Sequence, residues 1–211
     1  MHRPADHPIE LTSEALLSAY AVGVFPMADD EGIVHWLAPD PRAIIPLDSF
    51  KVSRSLRTLI GRRAFDISVN RAFDRVIEGC ADRAEGTWIS LEMLEAYERL
   101  HRLGFAHSVE AWRCEELAGG LYGVSIGGAF FGESMFHRVT DASKVALAAL
   151  VDRLRDRGFA LLDVQFMTEH LRQFGTLEIR RHEYERRLQH ALSRPCRFVD
   201  APADETDDSS P

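Results

Sequence analysis

The alternation of apolar and polar positions divides the chain into short helices and strands. Thr12 precedes Leu16, Leu17 and Tyr20 at helical spacing, and Gly23 follows, so a capped helix is expected there. Four prolines, Pro26, Pro39, Pro41 and Pro46, predict an irregular stretch with no regular elements. Residues 51–63 are expected to be helical, and 65–69 alternate as a strand. Asn70 stands where it caps a helix with Phe73, Val76, Ile77 and Cys80 on one face. Ser90 caps another, with Leu94, Tyr97 and Leu100 inward and Gly104 as its stop. Residues 107–113 and 117–124 read as strands. Gly127-Gly128 is a tight-turn signal, and 129–136 returns as the second arm of a hairpin. A helix over 142–157, a buried strand over 159–166, a short helix ending near Gly175, a strand over 177–180 and a helix over 183–192 complete the pattern. This order predicts an α/β (α+β) fold with a mixed sheet.

Composition narrows the class. The chain has 211 residues, 45% of them hydrophobic and 27% charged, enough to bury a core without staples. No apolar run approaches the roughly 20 residues of a membrane span. The first eight residues lack an apolar signal core, and Cys80, Cys114 and Cys196 have neither metal nor disulfide spacing, so a reduced, cytoplasmic protein is expected. Nothing points to oligomerisation, and a monomer is expected. The net charge of −8 is unevenly spread. Residues 195–211 carry five acids and one base and are expected to form a disordered acidic tail. Residues 51–63 carry Lys51, Arg54, Arg57, Arg62 and Arg63 with no acid, either a solvated helix face or a phosphate-contacting patch. The expected organisation is a small N-terminal domain over 1–50, a larger domain over 51–194 that begins with the basic helix, and the tail.

The strand 159–166 carries the most chemical information. Alternation puts Asp163 and Gln165 on one face, about 7 Å apart, and Leu162, Val164 and Phe166 on the other. A carboxylate and an amide on an interior strand need polar partners or a ligand. In the hairpin arm, Glu133 and Met135 are expected on one side and Ser134 and Phe136 on the other. Glu133 then has either a raised pKa or an ion pair with Arg138 or Lys144. Trp36 and Trp88 sit in loop-like contexts, as core filler or as stacking platforms, while Trp112 is assigned to packing. Six glycines between 119 and 132 signal either tight packing or close approach of a ligand or backbone. The chain has no His-Glu-x-x-His, no paired cysteines, no Gly-x-Ser-x-Gly, no Walker A and no dinucleotide fingerprint, so no metal or organic cofactor is expected.

Taken in order, several segments resemble the leucyl/phenylalanyl-tRNA–protein transferases. They are 19–27 (AYAVGVFPM), Trp36 with 39–42 (PDPR), 87–89 (TWI), 106–112 (AHSVEAW), 119–123 (GGLYG), 131–136 (FGESMF), 142–147 (ASKVAL), and 163–165 (DVQ) before His170-Leu171. The resemblance runs from about residue 11 to 190. It implies a small N-terminal domain and an acetyltransferase-like (GNAT-type) domain. It also implies transfer of Leu, and less readily Phe or Met, from Leu-tRNA or Phe-tRNA to acceptor proteins that begin with Arg or Lys, marking them for degradation. By position, Asp163 and Gln165 fall on the family's catalytic pair and Glu133 on its motif acid. Phe130, Ser134, Met135 and Leu162 fall on substrate-contacting positions, and Trp36 and Trp88 on those that meet the terminal adenosine. Two positions depart from the family pattern, Leu37 and Val164. The second, on the opposite strand face from the pair, is expected to matter little.

The implied reaction joins an activated ester to an α-amine, of which roughly a tenth is neutral at pH 7. It requires positioning, one proton acceptor and oxyanion stabilisation. Asp163 is expected to hold Gln165 and help draw the proton, directly or through water, while Lys51, Arg54, Arg57, Arg62 and Arg63 meet the tRNA. Two alternatives stand beside this reading. An acyl-CoA-dependent N-acetyltransferase is disfavoured because residues 137–141 lack a glycine-rich pyrophosphate loop. A non-catalytic RNA- or peptide-binding module leaves the polar pair unexplained.

Overall fold

The structure, a computed structural model, describes residues 11–29, 31–82 and 89–200. In chain order they form α1 (Ser13–Ala21), β1 (Phe25–Ala28), β2 (Val34–Leu37), β3 (Arg42–Ile45), α2 (Arg54–Gly61), β4 (Asp66–Val69), α3 (Phe73–Ala81) and α4 (Leu91–Arg102). There follow β5 (Ala106–Arg113), β6 (Glu116–Ile126), β7 (Ala129–His137), α5 (Ala142–Asp156), β8 (Leu161–Gln165), α6 (Glu169–Arg172), β9 (Leu177–Ile179) and α7 (Arg181–Leu192). Three helix starts are set by local chemistry. The hydroxyls of Thr12, Ser53 and Ser90 accept the N–H of Ala15, Leu56 and Met93 at 3.1, 3.2 and 3.3 Å, satisfying donors that α1, α2 and α4 otherwise leave open. Asn70 does not cap α3 as expected. It adopts a left-handed φ of 57°, and its side chain accepts from the Ser108 N–H and bonds His107 Nδ1, tying the β4 end to β5. The N-cap of α3 is Ala72, whose N–H points at Glu110 Oε1.

The stretch 26–46, expected to be irregular, instead holds three strands. Pro26 lies in β1 of a two-stranded antiparallel ribbon, where both strands are edges. Pro39 and Pro41 occupy the connection after β2, and Pro46 follows β3. The fold is α/β, with this small ribbon at the N-terminal end and a seven-stranded mixed sheet of order β4-β5-β6-β7-β8-β3-β9. All neighbouring pairs in the large sheet are antiparallel except β7 and β8. The strand β3, before residue 50, is inserted between β8 and β9, so the N-terminal segment supplies an interior strand of the large sheet.

Each face of the sheet buries its own core. On one side Leu16 and Tyr20 of α1, Val76 and Ile77 of α3, Met93 and Tyr97 of α4, and Tyr184 and Leu188 of α7 pack on Tyr122, Val124 and Phe131. On the other, Leu56 of α2 and Val145, Leu150 and Val151 of α5 pack on Val109, Leu121, Phe130 and Leu162. Each large apolar side chain so buried contributes roughly 1.5–3 kcal/mol of transfer free energy. Trp112 is buried, as its strand alternation indicates. The segment after Pro195 is ordered further than its composition predicts. Phe198 is 2% exposed, stacking against His107 and Phe130, because one aromatic ring outweighs its polar neighbours. Residues 201–211 lie outside the described residues.

Close packing requires glycine at 119, 120, 123 and 127 of the β6–β7 hairpin, though not at 132. Gly128 donates to Ala191 O at 2.8 Å, bringing the α7 end onto the turn. A Cβ at Gly123 would overlap the Phe131 carbonyl oxygen and the Phe130 ring. Gly123→Ala is therefore expected to destabilise the fold by about 2–3 kcal/mol. Urea denaturation measures this as a lower midpoint with an unchanged slope.

Candidate functional site

The parallel strands β7 and β8 pair only from Ala129–Leu161 to Phe131–Asp163 and then part. Both bend there for local reasons. On β7 the register against β6 shifts, so that Tyr122 faces Ser134 while Gly123 faces Gly132, leaving Glu133 as the extra residue of a bulge. On β8 the register against β3 shifts between Ala43 and Ile44, and Gln165 takes a left-handed φ of 57°. The fork opens into a cleft of about 480 Å3. Its apolar wall comes from Leu121, Met135, Leu147, Leu150, Leu162 and Val164. Glu133, Ser134, Gln165, Thr168 and His170 add polar groups, and Phe25, Pro26 and Met27 of β1 close another side.

Beneath the fork lies a buried ion pair. Asp163 is 0% exposed and Arg42 is 1% exposed. Arg42 donates from Nε to Oδ1 at 2.9 Å and from Nη2 to Oδ2 at 2.7 Å, and its Nη1 donates to Gly23 O at 3.0 Å. The guanidinium lies between the Phe25 and Tyr184 rings, 4.7 Å from each centroid. Burial alone would lower the Arg42 pKa; the hydrogen bonds and charge of Asp163 more than offset this and hold it above the ordinary value. Tyr184 Oη donates to Asp163 Oδ2 at 2.6 Å, with its own pKa raised by burial and by the Asp163 charge. The Gln165 N–H donates to Asp163 Oδ1 at 2.9 Å. Asp163 thus holds the strained Gln165 backbone in place, and its oxygens are occupied.

Above it sits a second acid with different surroundings. Glu133 Oε1 accepts from Gln165 Nε2 at 3.2 Å and Oε2 accepts from Tyr97 Oη at 3.0 Å. Since the single Tyr97 proton points at Glu133, Tyr20 Oη donates to Tyr97 Oη, at 2.7 Å. Burial pushes the Glu133 carboxyl up to about 7; the hydroxyls of Tyr20 and Tyr97 oppose this, and the Asp163 charge adds to it. Burial and the charge of Glu133 hold both phenols well above their ordinary range, so they remain donors.

Of the residues anticipated from sequence, Glu133, Ser134, Met135, Leu162 and Gln165 come together around the cleft. Asp163 and Gln165 share a strand face as expected, but Asp163 is sealed beneath the cleft and cannot meet a substrate directly. Phe130 is also buried in the core, against Phe198, and does not line the cleft. Glu133 and Met135 were expected on one side, yet the bulge turns them apart: Glu133 bonds to α4, while Met135 packs with the α5-side core. Neither expected ion pair of Glu133 forms, and Lys144 pairs with Asp141 at 2.7 Å instead. Val164, expected to matter little, lines the apolar wall, because that opposite strand face is where the cleft continues. Trp36 is partly buried opposite Pro26 and packs on the core. Trp88 lies outside the described residues. Lys51, Arg54, Arg57, Arg62 and Arg63 are all exposed. The Lys51 N–H donates to Phe174 O at 3.0 Å, beside the segment whose Thr168, His170 and Leu171 line the cleft. Sequence reasoning gave no role to Arg42 or Tyr184 and read Tyr20 and Tyr97 only as core. The available signal was that a buried tyrosine hydroxyl needs a partner.

Among the described residues, no group of three or more His, Cys, Asp or Glu side chains is arranged to hold a metal ion, and no helix is long and apolar enough to cross a membrane. Residues 44–189 match the family described as leucyl/phenylalanyl-tRNA protein transferase, and residues 9–40 match its N-terminal domain. The chain belongs to this family. Proteins named leucyl/phenylalanyl-tRNA–protein transferase are 56% identical over 191 residues in Gloeobacter violaceus (90% of this chain, 98% of that one) and 55% identical over 186 residues in Salinibacter ruber (88% and 82%). Among solved structures, a ribosomal-protein-alanine N-acetyltransferase from Brucella melitensis aligns with a TM-score of 0.39 at 16% identity, over 52% of this chain and 86% of that one. The two family segments meet between residues 40 and 44, at the start of β3, where the chain enters the large sheet.

In this transferase-family chain the ion pair is the joint between those segments, since Arg42 also binds Gly23 O and Phe25. Arg42→Met would leave Asp163 as an unpaired buried charge. A loss of about 3–5 kcal/mol is expected, measurable by thermal or urea unfolding.

Proposed function

We propose that this protein transfers leucine, and less readily phenylalanine or methionine, from aminoacyl-tRNA to the N-terminal Arg or Lys of acceptor proteins in the cytoplasm. Family membership supports aminoacyl transfer. The observation that carries the residue assignment is the Glu133–Gln165 contact in the lining of an otherwise largely apolar cleft. The amino-acid side chain enters between Met135, Leu162 and Val164. The flexible thioether of Met135 adapts to Leu, Phe and Met alike, whereas one misplaced methyl costs only about 1–3 kcal/mol. Ser134 lines the same cleft.

The acceptor's α-amine gives a proton to the Glu133 carboxylate and attacks the ester carbonyl carbon. When the tetrahedral intermediate collapses, the bond to the ribose oxygen breaks and that oxygen takes the proton back from Glu133. A group with a pKa near 7 suits both directions of this transfer. Gln165 Nε2 has two hydrogens; one goes to Glu133 and the other is available to the developing oxyanion. Asp163 is a positioning residue in this scheme, acting through the Gln165 backbone. The ionised Glu133 carboxylate attracts a cationic acceptor residue, and the exposed bases of 51–63 take the tRNA phosphates.

Labelled leucyl-tRNA incubated with an Arg-initiated peptide tests the proposal directly. Label should pass to the peptide; transfer from acetyl-CoA instead would assign the site to acetylation. The turnover rate should rise with pH through about 7 as Glu133 ionises. Glu133→Gln should remove that limb and cost roughly 100-fold or more in kcat. The elevated pKa also carries a stability signature. The native state keeps a proton that the unfolded chain releases near 4.5, so this carboxyl's contribution to stability is present below about 4.5 and is lost as pH rises through about 7. Reversing Lys51, Arg54 and Arg57 to Glu should weaken tRNA binding and flatten its salt dependence. A salt slope equal to that of the parent would return that helix to an ordinary solvated face.

A further inference from the structure

A second hollow, of about 510 Å3, lies beyond the far end of the β6–β7 hairpin. Arg75, Arg113 and Arg138 line it, with the carboxylate of Glu116 and the exposed Cys114 at its wall. All three arginines are exposed, and none forms an ion pair among the described residues. Their placement is fixed from below. The fully buried Glu110 accepts from Ser68 Oγ and Ser108 Oγ, both at 2.5 Å, and Ser68 Oγ accepts the indole N–H of Trp112 at 2.7 Å. The Trp112 ring so held carries the guanidiniums of Arg71 and Arg75, 4.7 and 5.3 Å from its centroid. Arg138 rests on Phe136 at 5.5 Å, and the N–H groups of Arg138 and Val139 both donate to Ala118 O. Cys114 and Glu115, both at positive φ, make the two-residue turn that delivers Arg113.

His137 lines the cleft and the next residue in the chain, Arg138, lines the hollow. Arg75 belongs to the sheet face of α3, whereas the basic helix α2 lies on the opposite face, so two cationic surfaces flank the fork. We propose that Arg75, Arg113 and Arg138 form a second phosphodiester-binding site that grips the RNA backbone of the aminoacyl-tRNA on the side of the cleft opposite residues 51–63. This rests on the reading of the cleft as an aminoacyl-tRNA site. The alternative occupant of a surface beside that cleft, the acceptor polypeptide, begins with a cationic residue that three unpaired guanidiniums repel. The planar guanidinium suits phosphate oxygens.

The test replaces Arg75, Arg113 and Arg138 together by Gln and measures binding of leucyl-tRNA by fluorescence anisotropy from about 50 to about 200 mM salt. The slope of log K against log salt should flatten by about two or more, at slightly under one per lost phosphate contact. The same three positions changed to Lys should keep most of the slope, which separates loss of charge from loss of folding. An unchanged slope in a folded Gln variant, or the same flattening in the Lys variant, overturns the proposal. Leucine transfer by the parent protein is assayed in parallel. Absence of transfer with intact, Arg-dependent RNA binding would overturn the reading of the cleft while supporting this site.

Discussion

The Arg42–Asp163 pair is the constraint on which the site depends. It joins residues 121 apart in the chain, anchors the N-terminal ribbon through Gly23 O and Phe25, and fixes the point where β8 turns out of the sheet. A charge pair of this kind gains little over well-packed apolar groups, but losing one member is costly, because the other is left buried and unpaired. The pair therefore contributes geometry more than net stability. Asp163 spends one oxygen on the Gln165 N–H, and that bond holds a non-glycine residue in the left-handed region where the cleft needs it.

Two carboxylates within one fork thus have separate roles, set by their partners. Asp163 is surrounded by donors, one of them cationic, and is closed to solvent. Glu133 has only neutral donors, an amide and a phenol, and burial lifts its pKa to about 7. In the proposed reaction, proton exchange near neutral pH falls to the acid without the cation. The same division explains why the cleft has a polar floor and an apolar wall. Alternation on β8 sends Asp163 and Gln165 to one side and Leu162 and Val164 to the other, and the parting of β7 and β8 opens a passage between the two faces.

Charge is organised around that passage. The protein is acidic overall, yet exposed bases gather on α2 and again around Arg75, Arg113 and Arg138, on either side of the fork. The buried Glu110, far from the cleft, takes part in this arrangement by orienting Trp112 and through it Arg71 and Arg75. For the proposed substrates, a polyanion and a cationic peptide end, segregated surface charge steers each to its own side of the cleft without requiring a high net charge.

Much of this was legible in the sequence where the governing interaction is local. Thr12 and Ser90 mark helix starts because a hydroxyl three residues before a free N–H is all a cap requires. Period-2 alternation gave the faces of β8 for a similarly local reason. The Asp163–Gln165 pair, the acid at 133 and the basic run could be read the same way. What the sequence could not settle was anything decided by a distant neighbour. Pro26 sits in a strand because a two-stranded ribbon tolerates it. Asn70 binds Ser108 rather than capping α3, and Glu133 leaves the face of Met135 because β7 bulges against β6. Above all, whether Asp163 or Glu133 lines the cleft depended on Arg42, 121 residues from Asp163 in the chain. Local patterning determines which residue types share a face; only the packed sheet decides which of them are sealed and which are open to a ligand.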